Sequence, residues 1–203
     1  MRYRTYDHRH AHNIFTTDPL FMPLYNEIIE VLDSITDEDL ISKYNLNLRE
    51  NKKSLSETIN SLIRERLEVR GWQVESAIFS DPAYALAKDN KRWRLDFAKE
   101  EISVEVAFNH GEAIAWNLIK PVLASELNHV AKEIQTSAGV IICATDDLKK
   151  AGNFDGAVGS YEKFLRYLEP MQNMLPTPIL IMGLEAPESF HIDKTTKQVV
   201  RHT

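Results

Sequence analysis

The chain has 203 residues, with 43% hydrophobic and 27% charged side chains, a formal net charge of −6 and one cysteine. This is ordinary globular composition, enough for one sizeable core. It excludes a disordered chain, a disulfide-built scaffold and a protein that coats nucleic acid by a basic balance alone. No apolar run approaches a membrane span. The N-terminal stretch, rich in Arg, Tyr and His, lacks the apolar core of a secretory signal, so a cytoplasmic protein is expected.

In chain order, residues 1–17 read as a mobile or strand-like arm. His8, His10 and His12 alternate there, but no further ligand follows at metal-site spacing. Asp18 caps a helix expected from Pro19 to about Ile35, with Leu20, Leu24, Ile28, Ile29, Val31 and Leu32 as its apolar stripe. Residues 37–53 read as a polar surface connection. Ser54-Leu-Ser-Glu57 fits a capping box. The helix it opens carries Leu55, Ile59, Leu62, Ile63 and Leu67 on one side and Arg64, Arg66 and Arg70 on another, and Gly71 ends it. Trp72–Phe79 reads as a strand and Asp81-Pro82 as a turn.

Residues 91–110 read as a hairpin. Trp93, Leu95 and Phe97 alternate with Arg94 and Asp96. After a polar turn at Ala98–Glu101, Ile102, Val104, Val106 and Phe108 alternate with Ser103, Glu105 and Ala107. A long helix is expected from Glu112 to about Ile134, kinked or broken at Pro121. Val140–Ala144 is a buried strand that includes Cys143 as a core thiol. Asn153-Phe-Asp-Gly is loop-like, a helix spans about Val158–Leu168, and Pro178–Leu184 is another buried strand. The polar tail is expected to fold back around Lys194–Lys197. The whole predicts a single α/β domain with a mixed β-sheet flanked by helices. Its parts are an arm (1–17), an N-terminal helical addition (18–53), a core (54–185) and a C-terminal tail (186–203). There is no Gly-x-Gly-x-x-Gly, no P-loop and no Gly-x-Ser-x-Gly.

The hairpin is where chemistry is expected. With both apolar faces turned inward, Asp96 and Glu105 share the opposite face on adjacent strands. Two carboxylates so placed repel unless a cation lies between them, and an oxygen-preferring divalent ion such as magnesium suits them. As ionised ligands, neither should need an unusual pKa. The alternative reading is a solvent-facing acidic pair, which is common on surfaces. The net charge of −6 also implies weak non-specific DNA affinity without a cation.

A helix bearing Glu57, a hairpin giving Asp96 and then Glu105-Val106-Ala107, a helix and a strand resemble the core of the PD-(D/E)xK nucleases. Three stretches resemble more specifically the BglII and BamHI group of type II restriction endonucleases: Arg94-Leu-Asp-Phe, Val104-Glu-Val-Ala-Phe and Leu67-Glu-Val-Arg-Gly-Trp72. The similarity spans roughly residues 50–185. It implies a PD-(D/E)xK restriction-endonuclease-like fold and a homodimer on double-stranded DNA. It also implies magnesium-dependent cleavage of a palindrome with a GATC centre, degenerate as purine-GATC-pyrimidine, leaving 5′ overhangs and 5′ phosphates. A restriction–modification system would be its setting.

In that frame Asp96 and Glu105 hold the metal. Asn109 and His110 follow the catalytic strand, where base contacts are expected, and Asn153, Asp155 and Ser160 stand at the start of a later helix. Lys132, Gln172 and Asn173 are candidates for outer-base contacts. Arg64, Arg66, Lys91, Arg92 and Arg94 are candidates for phosphate contacts. The helix from Glu112, with Ile114, Ile119, Leu123, Leu127 and Val130, serves either a dimer bundle or the monomer core.

The chain departs from the family pattern at Ala107, where a polar side chain is usual. Lys99, Asp81 or Glu57 could supply the missing group, or a backbone carbonyl and waters could complete the metal shell. Otherwise the protein is a non-cleaving DNA-binding module. A non-specific repair nuclease of the same fold and a protein-interaction domain are the remaining alternatives.

Overall fold

The computed structural model describes all residues except 52, 82, 83, 85–92, 127, 128 and 203. Its helices are α1 (Ala11–Thr17), α2 (Met22–Ser34), α3 (Asp37–Arg49), α4 (Leu55–Glu68), α5 (Ile114–Ser125), α6 (Asp146–Ala151) and α7 (Tyr161–Met171). Its strands are β1 (Tyr3–His8), β2 (Gln73–Ala77), β3 (Arg94–Lys99), β4 (Ile102–Val106), β5 (Ala138–Ala144), β6 (Ile179–Leu184), β7 (Phe190–Ile192) and β8 (Val199–Arg201). The first six strands form one mixed sheet in the order β1-β6-β5-β4-β3-β2. The β4, β5 and β6 strands run parallel, and β1, β3 and β2 are antiparallel to their neighbours. The last two strands make the expected terminal hairpin. Among the described residues no helix is long and apolar enough to cross a membrane.

Both faces of the sheet are covered. Val104, Val106, Val140, Ile142, Leu180 and Met182 point to one side and pack with buried residues of α1–α4 and α6. Ile141, Cys143, Ile179 and Ile181 point to the other and pack with α5 and α7. The expected α/β class therefore holds. The polar face expected for the hairpin is not solvent-facing, however, because α5 lies over it. All five residues of β4 are buried, Ser103 and Glu105 among them.

Several boundaries differ from expectation. Residues 37–49 are a helix rather than a connection. Thr36 accepts the Asp39 N–H at 3.1 Å while the Asp39 carboxylate accepts the Thr36 N–H at 3.0 Å, and Leu40, Ile41 and Tyr44 turn inward. The Ser54 hydroxyl caps α4 by accepting from Ser56 N–H at 3.1 Å, so the box with Glu57 does not form. The hairpin turn is narrower than four residues: Lys99 still pairs with Ile102, and Glu100 takes the left-handed conformation, φ +46°. The expected helix from Glu112 to Ile134 begins as a short 3-10 turn at Gly111–Ala113 and ends at Ser125. It runs through Pro121 unbroken. Pro121 lies against Gly139 of β5, where an added Cβ would come within 2.6 Å of the proline Cβ. This close approach presses the middle of α5 onto the sheet beside β4.

Candidate active site

Ladder pairing between β3 and β4 stops at Phe97–Val104. Beyond it, side chains take over the backbone donors. The Val106 N–H donates to Asp96 Oδ2 at 2.8 Å, and the Asp96 N–H donates to Glu105 Oε1 at 3.4 Å. The two carboxylates are thus fixed against each other by the strands that carry them, as the alternation of the sequence predicted. Glu105 is 1% exposed.

A third charge reaches the pair from α5. Lys120, itself 8% exposed, donates to Glu105 Oε2 at 2.5 Å. Sequence reasoning missed this lysine. It sits fifteen residues beyond Glu105, and only the register of α5 over β4, set by Pro121 on Gly139, brings it in. Glu75 was also missed. Its charge acts on Asp96, and it takes φ +50° and accepts from Arg64 and Arg94, each at 3.4 Å.

The electrostatics correct the expectation of ordinary carboxylates. Burial first, and then the Asp96 charge, push Glu105 up to about 8, against the pull of Lys120. Burial also raises Asp96, opposed by Lys120 and by the Val106 N–H. With both acids ionised, the single lysine leaves an excess negative charge inside the protein, which either a proton on Glu105 or an added cation relieves. Among the described residues no group of three or more His, Cys, Asp or Glu could hold a metal by itself. The pair fits an ion such as magnesium, which takes one or two carboxylates and completes its shell with water and phosphate oxygens.

The other expected residues separate by parity and by sheet edge. Lys99 lies an odd number of residues from Asp96 and points through the opposite face, to Glu27 Oε1 at 2.8 Å and the Arg70 carbonyl at 2.8 Å; it is not at the carboxylate pair. Glu57 lines a shallow cleft with Ser56, Asn60, Val106, Phe108 and Asn109, beyond the end of β4. Asp81 lies past β2, its carbonyl accepting from Tyr84 N–H at 2.9 Å. Lys120, Glu75 and Arg64 are among the charges acting on Asp96.

Asn109 and His110 are exposed at the same edge of the sheet as the carboxylate pair. The Asn109 carbonyl accepts from Gly159 N–H at 3.0 Å, and its side-chain oxygen accepts from the buried Asn117 at 3.0 Å. The segment from Asp155 to Ser160 lies alongside. Asp155 is exposed, its carboxylate accepting from Ala157 N–H at 2.8 Å. Ser160 is a buried cap of α7. Both ends of the Asn153 amide bond within the chain, to the Lys53 carbonyl at 2.7 Å and Lys197 Nζ at 3.2 Å, so this residue ties loops together.

Lys132 packs over the Phe79 ring and donates to the Leu123 carbonyl. Gln172 and Asn173 are exposed at the end of α7, which runs back from Ser160, beside Ala144, to the opposite sheet edge. Arg66 is held by Ser34 and Asp39 at 2.7 and 3.0 Å. Lys91, Arg92, Leu127 and Pro82 lie outside the described residues.

The crystal structure of the restriction endonuclease BglII complexed with a DNA 16-mer is similar at a TM-score of 0.65 and 19% identity, covering 99% of this chain and 88% of that one. Free BglII is similar at a TM-score of 0.56 and 20% identity, covering 94% and 83%. No curated protein matches. The family model for restriction endonuclease BglII/BglIII matches residues 3–184, so the likeness expected from about residue 50 extends through the N-terminal strand. The chain belongs to the BglII/BglIII family of restriction endonucleases, type II site-specific enzymes that cleave double-stranded DNA.

Proposed function

We propose that this endonuclease acts as a homodimer and hydrolyses each strand of a palindromic, GATC-centred DNA site with magnesium, leaving 5′ overhangs and 5′ phosphates. The observation that carries the proposal is the buried Asp96–Glu105 pair, each carboxylate held by a main-chain N–H of the other strand, with only Lys120 against their two charges when both are ionised. When bound, magnesium supplies Lewis-acid stabilisation of a phosphate oxygen and acidifies a water. Asp96 and Glu105 would hold it. Their fixed separation sets where the scissile phosphate is gripped, and the cover of α5 and the sheet keeps bulk water from that side.

Asn109 and His110, exposed at the same edge, are proposed to face the bases, with Asp155 beside them. Asn117 holds the Asn109 oxygen and so sets which way its amide points. The purine-GATC-pyrimidine site rests on the family resemblance of Arg94-Leu-Asp-Phe and Val104-Glu-Val-Ala-Phe. The homodimer is supported by the symmetry of a palindrome and by Ile119 and Leu123 of α5, which stay partly exposed while Ile114 is buried in the monomer. A cytoplasmic setting and action of the whole chain as one domain complete the proposal.

The test is digestion of a long, fully sequenced, unmethylated DNA with magnesium or with EDTA, followed by sequencing of the fragment ends. Discrete magnesium-dependent fragments with 5′ GATC ends are expected. A smear would overturn the site, and uncut DNA with folded protein would favour the non-cleaving reading that Ala107 raises.

A further inference from the structure

The site face of β4 carries Glu105 and, two residues on, Ala107. That methyl group is 1% exposed and packs in the cluster of Ile114, Leu118 and Ile141, so position 107 offers nothing polar to the site. The ammonium that does reach this face comes from α5. Lys120 is buried, and its Nζ lies 2.5 Å from Glu105 Oε2. Its charge acts on Asp96 as well.

A buried ion pair is weak grounds for a stabilising role, because desolvation of both ions offsets their attraction. The placement here is also specific. Helix α5 is pressed to the sheet where Pro121 meets Gly139, and the residue next to that contact is Lys120.

We propose that Lys120 is a positioning residue for DNA cleavage. From α5 it delivers to Glu105 the cationic partner that the side chain at position 107 does not provide. It fixes the orientation of the Glu105 carboxylate and adds a positive charge to a site that must gather a phosphate. The proposal rests on the reading of Asp96 and Glu105 as the cleavage site.

The experiment compares wild type, Lys120→Met, Lys120→Gln and Lys120→Arg. The readouts are the single-turnover rate on a duplex cut by the wild type, at saturating magnesium, and calcium-supported affinity for that duplex. In Lys120→Met and Lys120→Gln the rate falls about 100-fold or more while affinity stays within about threefold, and Lys120→Arg recovers at least about tenfold of the lost rate. A purely structural lysine would move melting temperature and affinity along with the rate. The fold is checked by thermal melting, and the rate is read on whichever neutral variant melts as a folded protein.

Cleavage by a folded neutral variant within about threefold of wild type overturns the proposal. Loss of the fold in both neutral variants assigns Lys120 to stability and also overturns it. Absence of cleavage by the wild type itself overturns the reading of the site, and this inference with it.

Discussion

The β3–β4 hairpin carries two lysine–glutamate pairs, one through each face, and they are not equivalent. Lys99 meets Glu27 at 2.8 Å with side chains 21% and 28% exposed. Its third donor contact is the Arg70 carbonyl at the end of α4. Lys120 meets Glu105 at 2.5 Å with side chains 10% and 1% exposed, and a second carboxylate, Asp96, stands beside it. The first pair is balanced and about a quarter exposed, and fastens α2 and the segment after α4 to β3. The second is enclosed, and it would carry one negative charge too many with both acids ionised, so Glu105 keeps its proton up to about pH 8 while no cation is bound. Burial and charge imbalance, rather than the presence of an ion pair, distinguish the site from the strut.

The largest expected effect comes from removing the imbalance. Glu105→Ala should lower magnesium-dependent cleavage by about 10³-fold or more, measured as single-turnover rate on a duplex bearing the site. Lys99→Met, on the other face, should change that rate by less than about threefold and cost about 0.5–1 kcal/mol of stability in urea unfolding. If Lys99→Met were as damaging to cleavage as Glu105→Ala, the distinction between the two faces would fail.

Next comes pH. Glu105 titrates higher in the folded protein than its ordinary 4.5, at about 8, so the folded state holds a proton that the unfolded state releases in that window. Stability of the metal-free protein should therefore fall as pH rises from 5.5 to 8 in EDTA. Calcium should recover part of it at pH 8, and Glu105→Gln should flatten the slope. Thermal melts at the two pH values check the sign, and a melting temperature that rises over this range in wild type but not in Glu105→Gln would reverse it.

The smallest of these effects concerns sequence reading. Asn117→Ala frees the Asn109 amide and should slow cleavage of the preferred site about tenfold while leaving cleavage of near-cognate sites less affected.

How much of this was legible beforehand follows from the distance over which each signal acts. Alternation within residues 94–106 placed Asp96 and Glu105 on one face, because strand periodicity is local. The same rule, applied from Asp96 to Lys99, would have removed Lys99 from the site. Helix α3 was missed although Thr36-Asp-Glu-Asp39 and Leu40, Ile41, Tyr44 and Leu48 carry its cap and stripe. Its many polar residues masked a pattern that was present. The N-terminal strand reads as an arm because β1 is an edge strand with mostly exposed side chains, and its partner, β6, lies some 170 residues away in the chain.

Lys120 left no local trace. A lysine in a helix is ordinarily solvated, and its burial depends on Pro121 seating α5 against Gly139, a contact between distant segments. Glu75 was hidden for a similar reason. Its influence on Asp96 comes from the β2–β3 pairing, together with a local backbone conformation that alternation cannot foresee.

Whether Asp96 and Glu105 together hold a divalent cation on DNA is decided by calorimetric titration of calcium into the complex of the protein with its duplex, for wild type and for Asp96→Asn. Saturable binding in the wild type that disappears in Asp96→Asn, with the duplex still bound, is the predicted result. Equal calcium binding by the two proteins would contradict it.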